Sequence, residues 1–112
     1  MESCIFCKIV NKELDAKIVF EDDTCIAFED ISPQAPVHIL LIPKKHIESI
    51  DRIEKEDLKI VTHLIGKISE IARKRGIKSY RVVSNVGEES GQSVFHLHFH
   101  ILGGRRMNWP PG

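Results

Sequence analysis

The feature that most constrains this chain is the run His96-Leu97-His98-Phe99-His100-Ile101. Polar and apolar residues alternate there with a period of two, the period of a strand. His96, His98 and His100 would line one face, with Leu97, Phe99 and Ile101 on the other, against a helix or core. In a straight strand, neighbouring histidines stand roughly 6–7 Å apart, so one metal ion could take two of them but not all three. A lone histidine on a half-exposed strand is ordinarily solvated; three in strict alternation mark a site. An imidazole titrates near neutral pH and can attack phosphorus, move a proton or bind metal. The run alone therefore leaves the chemistry open.

The rest of the chain supplies a sheet for this strand. Ile5 to Val10 reads as a helical turn or two. Lys17–Glu21 and Cys25–Phe28, split by Asp22-Asp23-Thr24, read as strand, turn, strand. Ser32–Pro36 holds two prolines and reads as a loop, and Val37–Ile42 is a third strand stopped by Pro43. Leu58, Val61, Leu64, Ile65, Ile68, Ile71 and Ala72 recur at three and four residues, and Arg73-Lys74-Arg75-Gly76 follows. That is an amphipathic helix with cations in its last turn and a glycine stop. Tyr80–Ser84 is a fourth strand, and the loop from Asn85 to Ser93 leads into a fifth, Val94 to Leu102. These elements predict one α+β domain over residues 1–112: a five-stranded, mainly antiparallel sheet, one long helix and a short N-terminal helix.

Sixteen basic and sixteen acidic residues cancel in a chain of 112. That balance argues against an electrostatic grip on nucleic acid or on an anionic membrane. Any phosphate site has to be built from donors in one pocket. Met1-Glu2-Ser3-Cys4 lacks the pattern of a secretory signal, no apolar stretch has membrane-span length, and three cysteines suit a reducing compartment. The expected location is intracellular, in the cytoplasm.

The flanks of the histidine run narrow its use. Gly91-Gln92-Ser93 before it and Gly103-Gly104-Arg105 after it permit close backbone approach and offer N–H groups to an anion. Ser93 has the wrong parity to share a regular strand face with His98. It must sit in the loop, before pairing begins, to reach the same pocket. Cys4-Ile5-Phe6-Cys7 is a Cys-x-x-Cys, open by itself to metal binding, redox chemistry or simple packing. Cys25 falls in a strand and reads as core.

His-x-His-x-His followed by two apolar residues resembles the signature of the histidine triad family. The likeness is greatest to its Hint branch of nucleotide-binding proteins. It extends to Gly91-Gln92-Ser93-Val94-Phe95, Gly103-Gly104-Arg105-Arg106-Met107, Asp30-Ile31-Ser32-Pro33-Gln34-Ala35-Pro36, Ile42-Pro43-Lys44-Lys45-His46 and the ending Trp109-Pro110-Pro111-Gly112. Ser90 stands where close relatives often have glycine. The resemblance implies a hydrolase of purine nucleoside phosphoramidates that releases a nucleoside monophosphate and an amine. It implies His98 as nucleophile, His100 on a phosphate oxygen, His38 in support and Ser93 beside the scissile bond. Asp30 would hold the ribose hydroxyls, Ile31, Ile5, Phe6 and Ile9 would wall the base, and Asn85, Gly91 and Gln92 would complete the ribose and phosphate contacts. It also implies a structural zinc on Cys4, Cys7, His46 and His96, no catalytic cofactor, and a homodimer. Independently of that likeness, Ile60 and Leu64 lie off the Leu58, Val61, Ile65, Ile68 line and would serve a dimer surface, and the irregular Trp109 tail would dock on a neighbour and approach its nucleotide pocket. Other readings are a hydrolase with catalytic zinc on the histidine run, a nucleotide-binding interaction protein with little turnover, and a dinucleoside-polyphosphate hydrolase.

Overall fold

The computed structural model describes residues 3–112; Met1 and Glu2, where the reading of the N-terminus begins, lie outside the described residues. Helix α1 spans Ile5–Val10, and strands β1, Ile18–Glu21, and β2, Cys25–Glu29, form a hairpin. Its turn is built by Asp22, whose Oδ1 accepts the Thr24 and Cys25 N–H groups at 2.8 Å each, an Asx turn. Strand β3 runs Val37–Pro43, helix α2 Leu58–Lys74, β4 Tyr80–Val83 and β5 Phe99–Gly103. The sheet order is β1-β2-β3-β5-β4, with every pair antiparallel. This is the α+β architecture expected. Gly76 follows the helix at φ +75°, a conformation that suits glycine.

Residue parity sorts the central strands into two cores. Cys25, Ala27, Ile39, Leu41, Leu97, Phe99 and Ile101, all odd-numbered, pack with Leu64, Ile68 and Ile71 of α2. Ile26, Phe28, Leu40 and Ile42, all even-numbered, pack with Phe6 and Ile9 of α1. Covered on both faces, β2 and β3 are almost continuously apolar. The even face is the one that carries His38, His98 and His100. No helix among the described residues is long and apolar enough to cross a membrane.

Two expectations need correction. The fifth strand starts at Phe99, not Val94. Before it, the backbone bonds outside the ladder: Leu97 N–H donates to the Ile47 carbonyl at 2.6 Å, and the His98 carbonyl accepts from Ser84 Oγ at 2.8 Å. The alternation of faces survives, but only His100 of the three histidines lies in a regular strand, and no straight-strand spacing applies. The helix stripe is also rotated. Leu64, Ile68, Ile71 and Ala72 are buried and Ile60 packs half-buried, whereas Leu58 and Ile65 are 54% and 52% exposed. At 100° per residue, Ile65 and Leu58 lie about 60–80° to one side of Ile68, beyond the edge of the face that meets the sheet. The surplus apolar positions on α2 are therefore Leu58 and Ile65, not Ile60 and Leu64.

Candidate functional site

Register between β3 and β5 creates the first contact. Leu40 stands opposite His100, and His38 opposite Leu102, so the two histidines are diagonal neighbours on one face. His38 Nε2 lies 2.9 Å from His100 Nδ1. The Gln34 N–H donates to His38 Nδ1 at 3.0 Å, so His38 carries its proton on Nε2 and donates it to His100 Nδ1. His100 must then hold its own proton on Nε2, leaving it a donor. Asp30 Oδ2 sits 3.4 Å from His38 Nε2, and its Oδ1 accepts the Ser32 N–H at 2.8 Å.

His98 is set by main chain. Its Nδ1–H donates to the His96 carbonyl at 2.7 Å, which leaves Nε2 as an unprotonated lone pair. The Phe6 ring stands edge-on to the His98 ring at 5.1 Å, and His98 and His100 are 5.0 Å apart by ring centres. Burial holds His98 and His38 below the usual imidazole range and, with the charges of His98 and His38, pushes His100 down to about 4. All three are neutral at neutral pH. The arrangement sets a free imidazole nitrogen next to an N–H donor, as attack on an anionic phosphorus centre requires. Both line a cavity of about 360 Å³, whose other walls include Phe6, Ile9, Phe28, Leu40, Asp30 and Ser93.

A second cluster lies behind His98. Cys7 Sγ is 3.2 Å from His46 Nδ1 and 3.6 Å from His96 Nδ1, and Cys4 Sγ is 3.5 Å from His96 Nδ1. All four donor atoms fall within 4.8 Å of one another. His96 Nε2 donates to the Pro43 carbonyl at 2.8 Å, so its Nδ1 lone pair faces the sulfurs. A tetrahedral zinc with ordinary Zn–S and Zn–N bonds would separate S and N by about 3.6 Å, close to these distances. Burial pushes the Cys7 thiol up to about 11 and, foremost among the causes, His96 down to about 4. A divalent cation would reverse the thiol's preference. The residues fit such an ion. Asp30, His38 and His100 also lie within 4.8 Å of one another, but two of these imidazole nitrogens already bond each other.

Comparison with known proteins places this geometry. Residues 3–108 match the family described as scavenger mRNA decapping enzyme C-term binding. An uncharacterized HIT-like protein of Synechocystis is 53% identical, over 99% of this chain and 98% of its own length. The chain belongs to the histidine triad (HIT) family. Among solved HIT structures, a HIT family hydrolase from Legionella pneumophila superposes with TM-score 0.95 at 46% identity, covering 98% of this chain and 100% of its own. A histidine triad protein from Clostridium difficile superposes at 0.92 with 44% identity and 96% coverage of each.

Within the HIT site, Ile5, Phe6, Ile9, Asp30, Ile31, Ser93, His98 and His100 all border the 360 Å³ cavity. Ile31 does so from its rim, 99% exposed. Ser93 reaches it from the loop, as its parity requires. Asn85 does not line this cavity; it lies beside a smaller one beyond His100. Gly91, at φ +98°, backs onto Asn85. The Gln92 side chain is buried in the loop, accepting from the Gly87 N–H at 2.9 Å and donating to the Glu48 and Val94 carbonyls. Its own N–H donates to Gly87, so Gln92 shapes the loop and has no donor left for a phosphate. Trp109 is 82% exposed and lines neither of these two cavities. Phe28, Leu40, Val94, Leu14 and Ala16 are cavity residues that sequence reasoning missed. The buried apolar ones carry no local signal that separates a pocket wall from core.

Proposed function

We propose that this HIT protein hydrolyses purine nucleoside phosphoramidates at the P–N bond through a nucleotidyl-histidine on His98. The observation that carries the reading is the His98 Nδ1–H fixed on the His96 carbonyl at 2.7 Å, with Nε2 free beside the His100 donor. In the first step Nε2 forms a bond to phosphorus as the P–N bond breaks. The electron pair leaves with the amine nitrogen, which takes a proton that the hydroxyl of Ser93, a residue lining the cavity, would donate. Water then attacks the same phosphorus, its released proton restores the Ser93 hydroxyl, the N–P bond to His98 breaks with its electron pair returning to Nε2, and a nucleoside monophosphate leaves. The Nε2–H of His100 stabilises the phosphate oxygens in both steps. Asp30 accepts from the ribose hydroxyls, and Phe6, Ile9 and Ile31 cover the base.

Cys4, Cys7, His46 and His96 would hold a structural zinc. Four protein donors close the coordination sphere and leave no position for substrate, so the ion supplies stability and fixes the backbone that His98 leans on. The exposed Leu58 and Ile65, and the unpaired edge of β4, support pairing of two copies. The protein would act in the cytoplasm.

The test is to mix the protein with an adenosine phosphoramidate, quench early, and look for a nucleotidyl adduct on His98 by mass spectrometry. His98→Ala should lose turnover on the order of 10⁴-fold or more while still binding nucleoside monophosphate. Near-normal turnover in that variant would overturn the mechanism.

A further inference from the structure

Charges on this chain balance overall and pair widely: Lys12, Lys44, Lys45, Arg52, Lys67 and Arg75 each meet a carboxylate. Arg81, Arg105 and Arg106 have no carboxylate at ion-pair distance among the described residues, as is true of Lys8, Lys55, Lys59, Arg73, Lys74 and Lys78; what sets the three arginines apart is that they line adjoining cavities. Arg81 Nη2 donates to the Asn108 carbonyl at 2.7 Å, Arg105 Nε to the Gln34 carbonyl at 3.0 Å, and Arg105 Nη1 to the Arg106 carbonyl at 2.9 Å. A carbonyl oxygen fixes a guanidinium without neutralising it, and each head keeps further N–H groups unused. The result is two oriented, uncompensated cations.

Sheet register aims one of them at the site. Arg81 pairs with Leu102, which pairs with His38 across the other side of β5. Arg81, Leu102 and His38 therefore form a row on the face that carries His100, one strand repeat away. A cavity of about 250 Å³ lies there, lined by His38, His100, Arg81, Arg105, Gln34 and Asn85 with apolar neighbours, and Met107 and Pro111 of the tail close it. A second, of about 440 Å³, continues past Arg81 and Arg105 to Arg106. No carboxylate among the described residues lines either. His100 lines both the smaller cavity and the nucleotide cavity, so it stands at the boundary between them.

We propose that this basic cavity is a leaving-group subsite: the group expelled from phosphorus carries an anion, a phosphate or a carboxylate, that Arg81 and Arg105 bind beyond His100. The inference rests on the reading of the His98–His100 cavity as a nucleotide site. Base and ribose fill that cavity, the reacting phosphorus sits at His98 and His100, and the remainder of the substrate continues across His100 to the arginines. Both anions present paired oxygens that match a guanidinium fork. The substrate class becomes nucleotidyl amines whose amine bears an acidic group, rather than simple neutral amines.

Two measurements test it. In the first, kcat/KM is compared for adenosine phosphoramidates of an amino acid and of the corresponding amino-acid amide. The native protein should favour the carboxylate by about tenfold. Arg81→Gln and Arg105→Gln should each shrink that ratio, the double variant should bring it near unity, and Arg81→Lys, which keeps the charge and loses the fork, should fall between native and Arg81→Gln. In the second, which needs no turnover, ADP and AMP are titrated by calorimetry. The extra phosphate should tighten native binding by about tenfold, and the double variant should erase the difference. Ratios that the arginine variants leave unchanged overturn the subsite while the nucleotide reading stands. A native protein that binds neither AMP nor ADP overturns both.

Discussion

Removing metal from the cysteine–histidine cluster tests whether that cluster is a structural joint. Cys4 and Cys7 sit at the start of the chain, His46 follows β3, and His96 precedes β5. An ion bonded to Cys7 and His46 would close a loop between residues separated by 39 positions. In the chain-entropy picture, a cross-link over that length removes about 4 kcal/mol of unfolded-state freedom. For a domain of about 100 residues, each kcal/mol shifts the melting midpoint by roughly 4–8 °C, so loss of the ion should lower it by about 15–30 °C. The assay is thermal unfolding of protein loaded with one zinc per chain, with and without a strong chelator, beside Cys7→Ala. The variant should melt low and ignore the chelator. At a temperature where the metal-free protein stays folded, phosphoramidate cleavage should persist, because the ion takes no part in the chemical step. Identical melting with and without chelator would refute the joint. Activity abolished in a still-folded, metal-free protein would instead favour a catalytic metal.

Leu64→Ala should destabilise by about 2–5 kcal/mol and Ile65→Ala by less than about 1; urea unfolding showing the reverse order would refute the helix orientation described above. The native protein should sediment as a dimer and Ile65→Asp as a monomer, and sedimentation unchanged by the substitution removes α2 from the pairing surface. His100 has a folded pKa of about 4 against an ordinary 6.5, and burial lowers His38 as well. The unfolded state therefore binds protons that the folded state refuses. Their contribution to stability is full above about pH 6.5, falls as pH drops toward 4, and is flat below. Denaturant midpoints between pH 7 and 4 check this, and His100→Gln should flatten the slope; a slope that the variant leaves intact assigns the dependence elsewhere.

Periods of two and three to four residues were enough to read the five strands, the long helix, and the split of Leu97, Phe99 and Ile101 from the histidines, because each depends on neighbours close in sequence. Local chemistry also marked Ser93 as a loop residue and Cys25 as core. What lay beyond that reading are contacts between distant segments. His38 meets His100 across 62 positions only because β3 and β5 are neighbours in the sheet order, and that pairing fixes the tautomer that leaves the His100 Nε2–H as a donor. The start of β5 at Phe99 depends on Ile47 and Ser84 taking the backbone bonds of residues 97 and 98. The rotation of α2 is set by which flank the sheet covers, and a stripe as wide as Leu58 to Ala72 does not state its own centre. The Arg81–Arg105 cavity is the clearest case. Nothing in a balanced composition separates those two arginines from the other cations; only β4–β5 register and the path of the tail bring them beside His100.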